Sequence, residues 1–120
     1  MLEKAHEGGV AEATYALATW YLFGKHFRKN WKKGNALLRI AAEKRHPEAL
    51  YNLGISYELG KGLKKNEKVA ASLYFEAALL GDRDGLEDTA RCFYHGIGVE
   101  KDRLFAKAIF RHLDSMPEES

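Results

Sequence analysis

The chain has 120 residues, with 19 Lys and Arg against 17 Asp and Glu and a net charge of +2. This is the length of one domain, and so small a net charge argues against binding nucleic acid or an anionic membrane through overall charge. The chain is 46% hydrophobic, yet no apolar run approaches the ~20 residues that cross a bilayer, so no membrane insertion is expected. Cys92 is the only cysteine, which excludes an intramolecular disulfide. We expect a soluble, cytoplasmic protein; a periplasmic or secreted location would require a leader that has been removed.

The predicted helices come in pairs separated by glycine-rich turns. Pro47 suits the first turn of a helix, where its missing N–H is not needed. Gly60 and Gly62 suit the end of that helix because glycine adopts positive φ without strain. Asn66 is a good N-cap for the helix that follows. Apolar residues at helical spacing predict six helices along the chain: 11–23, 31–44, 47–59, 67–80, 83–95 and 103–113.

A repeat of 36 residues relates these pairs of helices. Shifting the chain by 36 positions aligns residues 13–48 with 49–84 without a gap, and 12 of the 36 positions are identical. A second shift brings the glycines of the middle unit onto Gly96 and Gly98. A helical hairpin cannot bury its apolar faces alone, so its neighbours must stack on it. The sequence predicts an all-α fold, an α/α superhelix (solenoid) of about three helix–turn–helix repeats: 1–12 as the end of a preceding repeat, 13–48, 49–84, a truncated 85–114, and a tail over 115–120.

Two stretches of the middle unit carry a resemblance to a known family. They read AxYNLGxxYExGKGxxKN at 49–66 and AAxxYFEAALLGD at 70–82, and the third unit continues the pattern with DTARCFYHGIGVEKD at 88–102. This pattern resembles the Sel1-like repeat, a relative of the tetratricopeptide repeat. The resemblance implies a stack of helical hairpins that acts as an adaptor or scaffold by binding another protein. Many such proteins are bacterial, and some secreted ones carry a disulfide in every repeat, which this chain does not.

The resemblance also predicts where a partner binds. In tetratricopeptide-type stacks the first helix of each repeat lines the concave face, and aromatic and arginine side chains are common interface anchors. The predicted concave-face residues are Tyr15, Thr19, Leu22 and Phe23 in the first unit, Tyr51, Ile55, Glu58 and Leu59 in the second, and Glu87, Arg91, Tyr94 and His95 in the third. The alternative is that the apolar members of this set pack against loops or against the adjacent hairpin.

A basic segment, residues 25–33, holds five Lys and Arg residues with Phe27 and Trp31 between them. Cations interleaved with aromatic residues are found in single-stranded nucleic-acid sites. The repeat instead places this segment in a turn and at the start of a helix, which favours a solvated loop. Nucleic acid is therefore not an expected partner.

Motifs for chemistry are missing from the sequence. There is no acid–base pair, phosphate-binding loop or metal-ligand spacing, so we expect no enzyme activity, no cofactor and no metal site. Cys92 has no base motif nearby and is expected to be a buried thiol. The leading hypothesis is a protein-binding adaptor, and the alternative is an inhibitor or immunity-type protein that occludes a toxin or an enzyme. Neither end looks capped, which leaves open a longer array, self-association through the repeat ends, or a cap supplied by a partner.

Overall fold

The computed structural model describes the backbone of residues 2–117 and the side chains of residues 9–117. That part of the chain contains six α-helices and no strand. The helices are α1 Leu2–Phe23, α2 Trp31–Glu43, α3 Pro47–Leu59, α4 Glu67–Leu79, α5 Arg83–His95 and α6 Arg103–Ser115. Packing is mainly between helices that are consecutive in sequence. The Cα radius of gyration is 15.1 Å, above the value of about 13.6 Å for a globular chain of this length. The predicted all-α stack of helical hairpins is confirmed.

Capping residues at equivalent repeat positions determine where the helices begin and end. A side chain just before each of α2 to α6 accepts a hydrogen bond from the backbone N–H three residues later. These N-cap residues are Asn30, His46, Asn66, Asp82 and Asp102. At the other end of the first helices, Gly60 and Gly96 take left-handed conformations with φ of 67° and 74°. Glycine is required there because other residues are strained at positive φ.

Helix α1 differs most from the prediction. It begins at Leu2 rather than at residue 11 and runs without a break through Gly8 and Gly9. The residue equivalent to the N-caps His46 and Asp82 is Val10, whose side chain accepts no hydrogen bond. Without a cap to start a new helix, the existing helix propagates and gains one hydrogen bond per residue. The assignment of residues 1–12 to a preceding repeat stays a prediction.

Within each of the first two hairpins, a glycine lets the two helices approach closely. A Cβ atom added to Gly34 of α2 would lie 2.6 Å from Leu22 of α1, and one added to Gly54 of α3 would lie 2.8 Å from the ring of Tyr74 of α4. Leu22 and Tyr74 are consequently buried. These positions require glycine for space rather than for backbone conformation.

The junction between the first and second hairpins, the first junction, contains polar contacts. Asn35 of α2 is buried; its Nδ2 donates to the Lys61 carbonyl oxygen (2.7 Å), and its Oδ1 accepts from the Ser56 hydroxyl (2.6 Å). Nearer the surface, Arg39 Nη2 donates to the Tyr57 hydroxyl (2.7 Å). The first junction therefore combines apolar burial with a directional hydrogen-bond network.

The junction between the second and third hairpins, the second junction, is apolar at the same repeat positions. Ala71 and Cys92 replace Asn35 and Ser56, and two phenylalanines replace the Arg39–Tyr57 pair. The shorter Ala71 side chain leaves a half-open pocket of about 160 Å³. The pocket is lined by Ala71, Ser72, Phe75, Thr89, Cys92, Phe93 and Val99. Two junctions with a similar backbone thus differ in their chemistry.

Candidate protein-binding face

The first helices of the three hairpins, α1, α3 and α5, are joined by side-chain hydrogen bonds and present one common face. The Tyr15 hydroxyl of α1 accepts from Asn52 Nδ2 of α3 (3.1 Å), and Arg91 of α5 bonds to Glu58 of α3. A row of exposed and half-buried residues recurs every three or four positions along each helix. This set, which we call the first-helix face, comprises Glu12, Ala16, Thr19 and Phe23 of α1, Glu48, Asn52, Ile55 and Leu59 of α3, and Asp84, Asp88, Arg91 and His95 of α5.

The first-helix face changes in character along the helix axes. At the N-terminal ends of α3 and α5, and at the equivalent position within α1, it carries one exposed carboxylate per unit: Glu48, Asp84 and Glu12. At the C-terminal ends it carries Phe23, Leu59 and His95. Phe23 is 64% exposed and Leu59 is 59% exposed. Large apolar side chains thus face solvent at equivalent positions of two neighbouring units.

The structure places most of the predicted partner-binding residues on or beside this face. Six are members of it: Thr19, Phe23, Ile55, Leu59, Arg91 and His95. Five lie next to it along the helices, of which Glu87 is exposed and the other four are half-buried: Tyr15, Tyr51, Glu58 and Tyr94. The prediction for Leu22 is wrong, because its side chain is only 3% exposed and packs over Gly34 in the core. Gly34 of α2 has no side chain, and Leu22 fills the space that one would occupy.

Six members of the face were missed by the sequence prediction: Glu12, Ala16, Glu48, Asn52, Asp84 and Asp88. The signal that could have found them is helical spacing. Counting back from Leu59 and Ile55 in steps of three or four reaches Asn52 and then Glu48. The prediction instead took its positions from the tetratricopeptide pattern.

Two half-buried tyrosines lie at equivalent positions of neighbouring first helices. The Tyr15 hydroxyl accepts a hydrogen bond from Asn52, and 36 residues later the Tyr51 ring packs against Tyr74 with centroids 5.6 Å apart. Burial is the main cause that raises the pKa of both hydroxyls, and for Tyr51 the Asp88 carboxylate raises it further. Both hydroxyls are therefore protonated at neutral pH.

A charged network ties the second unit to the third. Arg91 donates from Nη2 to Glu58 Oε1 (2.6 Å), from Nη1 to Oε2 (3.0 Å), and from Nε to Asp88 Oδ1 (2.9 Å). The buried Tyr74 hydroxyl donates to Glu58 Oε1 (2.7 Å). The hydrogen bonds from Arg91 are the main cause that lowers the pKa of Glu58, so this carboxylate is ionised at neutral pH. The bidentate geometry fixes both side chains and leaves little of their charge for a ligand.

Tyr94, at the flank of the third unit, contacts other side chains of its own hairpin. The guanidinium of Arg103 lies 4.7 Å from its ring centroid, and Phe110 lies edge-on at 6.5 Å. A cation above an aromatic ring is attracted to its negative face. Tyr94 is therefore held between α5 and α6, with part of its surface exposed.

Residues 9–117 hold no group of three His, Cys, Asp or Glu side chains placed to bind a metal ion. Cys92 is buried, as predicted, and burial raises the pKa of its thiol to about 11. No helix in the described part of the chain is both long enough and apolar enough to span a bilayer.

Comparisons with known proteins agree with this architecture. A family model described as the Sel1 repeat matches residues 11–46, 47–82 and 84–111. Comparison with curated proteins gives no match. A Sel1 repeat protein from Oxalobacter formigenes is 30% identical, with 98% of this chain and 90% of that chain covered and a TM-score of 0.81.

Two further solved structures have the same fold. A protective antigen with an SLR fold, present in uropathogenic Escherichia coli strains, is 26% identical over 92% of this chain and 24% of its own, with a TM-score of 0.85. The cysteine rich protein B of Helicobacter pylori is 27% identical over 89% of this chain and 86% of its own, with a TM-score of 0.69. Sel1 repeat proteins are generally non-catalytic scaffolds for protein–protein interaction. With three family repeats matched in sequence and the corresponding hairpins in its structure, this chain belongs to the Sel1 repeat family.

Proposed function

We propose that this chain is an adaptor or scaffold that binds a peptide or protein partner across its first-helix face, taken as the concave side of the stack. The observation that carries the proposal is the exposure of Phe23 and Leu59 at equivalent positions of adjacent units. Exposed apolar side chains rimmed by polar ones are typical of interaction sites. Ile55, half-buried one turn before Leu59, extends the apolar area.

The helices that carry Phe23 and Leu59 are held in place by side-chain hydrogen bonds. The Tyr15–Asn52 and Glu58–Arg91 bonds hold the three first helices in a set arrangement. A binding face that is ordered before the partner arrives loses less conformational entropy on association. This rigidity supports recognition of a short segment, whose own ordering then dominates the entropic cost.

Self-association through α6 is disfavoured by charge. On α4, the side that receives the next hairpin includes the buried Ala71 and the half-buried Ala78. The equivalent residues of α6 are Lys107 and Asp114, and both are exposed. Stacking another hairpin on α6 would remove these charges from water, which costs free energy unless each finds a partner. We therefore place the partner on the first-helix face rather than on α6.

Selection of binding peptides tests the proposal. A phage-displayed library of peptides of about 15 residues is panned against the immobilised chain, and the enriched peptides are synthesised for fluorescence anisotropy. The double variant Phe23→Ser/Leu59→Ser is expected to weaken their binding by about 2 kcal/mol, roughly 30-fold in Kd. Both side chains are largely exposed, so the far-UV circular dichroism spectrum should not change.

The matched control replaces two exposed apolar residues of second helices, Ile40→Ser/Leu79→Ser. These side chains are 47% and 66% exposed, and they lie on α2 and α4. Equal weakening by both double variants would refute the first-helix face as the binding surface. The alternative, an inhibitor or immunity-type role, uses the same face, and its bound toxin or enzyme would lose activity on binding.

A further inference from the structure

The three turns that join the helices of each hairpin form one strongly basic edge. This turn edge comprises residues 24–33, 60–68 and 96–103 and carries eleven Lys and Arg residues against three Asp and Glu. The rest of the chain carries eight against fourteen. The second and third turns pack on the start of the preceding second helix, with Gly62 against Trp31 and Gly98 against Glu67. The excess of positive charge lies in the first two turns, because residues 24–33 carry five Lys and Arg with no Asp or Glu, residues 60–68 carry four against one, and residues 96–103 carry two against two.

A lysine begins beside the end of every first helix. A Cβ atom added to Gly24 would lie 3.3 Å from Lys29 Cβ, and one added to Gly60 would lie 3.2 Å from Lys65 Cβ. The third unit repeats the contact with Lys101 against Gly96 (3.4 Å). These glycines directly follow the exposed C-terminal residues of the first-helix face. Each unit thus sets a lysine beside the glycine that follows an exposed residue of the first-helix face, which is Phe23, Leu59 or His95.

The lysines of the turn edge form no ion pair with a carboxylate among the described side chains, those of residues 9–117. None of the ion pairs formed among residues 9–117 involves a lysine, whereas Arg45, Arg83 and Arg91 are all paired with carboxylates. Clustered like charges raise the local potential and attract an oppositely charged partner. Lys29 and Lys33 lie over the rings of Trp31 and Tyr21, but these contacts leave the positive charge of the edge uncompensated and able to attract a ligand.

The aromatic side chains of this edge pack against neighbouring side chains. Phe27 is stacked on Tyr21 with ring centroids 4.7 Å apart, and His26 packs against Trp20 at 4.4 Å. Lys29 lies 5.1 Å from the ring centroid of Trp31. Bases bind such proteins by stacking on free aromatic faces, and here one face of Phe27 and one face of Trp31 are covered. Phe23 and Leu59 of the first-helix face are more exposed, at 64% and 59% against 41% for Phe27, and they suit a polypeptide with apolar residues.

We propose that the turn edge and the row of Phe23 and Leu59 together bind an acidic polypeptide segment that carries large apolar residues. Its apolar side chains contact Phe23 and Leu59, and its carboxylates lie along Lys29, Lys65 and Lys101. The inference rests on the proposed function and adds the chemical class of the partner. Because one lysine recurs in each unit beside the first-helix face, the charged contacts and the apolar contacts to the partner have the same repeat spacing.

Three synthetic peptides of about twelve residues test this by fluorescence anisotropy. The first alternates Glu with Leu and Phe, the second replaces Glu by Lys, and the third replaces Leu and Phe by Ala. Only the first is expected to bind well, with a Kd that rises as NaCl is increased from about 50 to about 300 mM. The variant Lys29→Gln/Lys65→Gln should weaken its binding about tenfold. The control Lys44→Gln/Lys107→Gln, away from the edge, should change the Kd less than about twofold.

The outcomes separate this inference from the proposed function. If the second or third peptide binds best, and Phe23→Ser/Leu59→Ser abolishes that binding, the face is right and the acidic partner is wrong. If Lys29→Gln/Lys65→Gln weakens binding and Phe23→Ser/Leu59→Ser does not, the apolar row and the turn edge do not form one site. That result also refutes the placement of the partner on the first-helix face. Equal weakening by both lysine pairs, or equally tight binding of a single-stranded oligothymidine, overturns the inference.

Discussion

Replacing Asn35 by alanine tests how the first two hairpins are held together. Asn35 donates to the Lys61 carbonyl oxygen and accepts from the Ser56 hydroxyl, and its side chain is buried. In Asn35→Ala both partners lose their hydrogen bond inside the protein, at a cost of about 1–3 kcal/mol for each unsatisfied group. We therefore expect the free energy of unfolding to fall by about 3 kcal/mol, a large part of the stability of a domain this size.

The second junction suggests the compensating change. Ala71 and Cys92 occupy the places of Asn35 and Ser56 there, so an alanine opposite a thiol is compatible with the same backbone. Ser56→Cys alone should cost about 1 kcal/mol, because a thiol is a weak donor to the Asn35 amide oxygen. The double variant should lose about 1.5 kcal/mol less than the sum of the two single losses, since no hydroxyl is left unpaired.

Urea denaturation followed by far-UV circular dichroism measures all four proteins. The m-value should stay constant across the set, so that differences in midpoint report stability alone. Additive losses in the double variant would refute the reasoning, because they would mean that Asn35 and Ser56 do not act as a pair. A loss below about 0.5 kcal/mol for Asn35→Ala would show that the buried amide is not required at the junction.

Three further predictions follow from titratable side chains. The pKa of Glu58 is lowered in the folded chain by its bonds to Arg91, so the unfolded chain binds more protons than the folded chain as pH falls. The stabilising contribution of the Glu58 carboxylate is therefore complete above about pH 4.5 and is lost below it. Urea titrations from pH 7 to pH 3 should therefore show the gap between wild type and Glu58→Gln closing below pH 4.5; a constant gap would contradict this. Burial raises the pKa of Asp82, so its charge contributes little to stability. In thermal melts, Asp82→Asn keeps the N-cap and should have a free energy of unfolding within about 0.5 kcal/mol of wild type or above it, whereas Asp82→Ala should be about 1 kcal/mol less stable. Equal losses in the two variants would count against the cap. Native Cys92, buried and with its pKa raised to about 11, should react with iodoacetamide at least about 100-fold more slowly than in urea, and similar rates would show an accessible thiolate.

The hairpins could be predicted from the sequence because their ends are determined locally. Asn66 accepts from the backbone of its own helix, and Gly60 takes positive φ whatever packs nearby. The repeat then transfers each local assignment to the other units. The long first helix was not predicted because the relevant signal is the lack of a capping residue at Val10. A missing cap is weaker evidence that a helix continues than a cap is evidence that a helix begins.

The first-helix face was predicted only in part, because its contacts cross between units. Glu58 and Arg91 are 33 residues apart and Tyr15 and Asn52 are 37 apart, so neither pair is aligned by a shift of 36. Leu22 was misplaced for a related reason, since its burial depends on Gly34 of the next helix. A periodic pattern shows which positions are equivalent, but it does not show which side chains meet across neighbouring helices.

The chemical difference between the two junctions also gives the hairpins a fixed order. Hairpins with so similar a backbone could exchange places during folding or swap between chains, a known failure of repeat proteins. Asn35 finds a hydroxyl donor at Ser56, but opposite Cys92 it would meet only a thiol. Ala71 opposite Ser56 would leave that hydroxyl without a partner. The polar or apolar character of each junction therefore favours the correct pairing of hairpins. A wrong pairing is penalised by an unsatisfied polar group rather than by a steric clash.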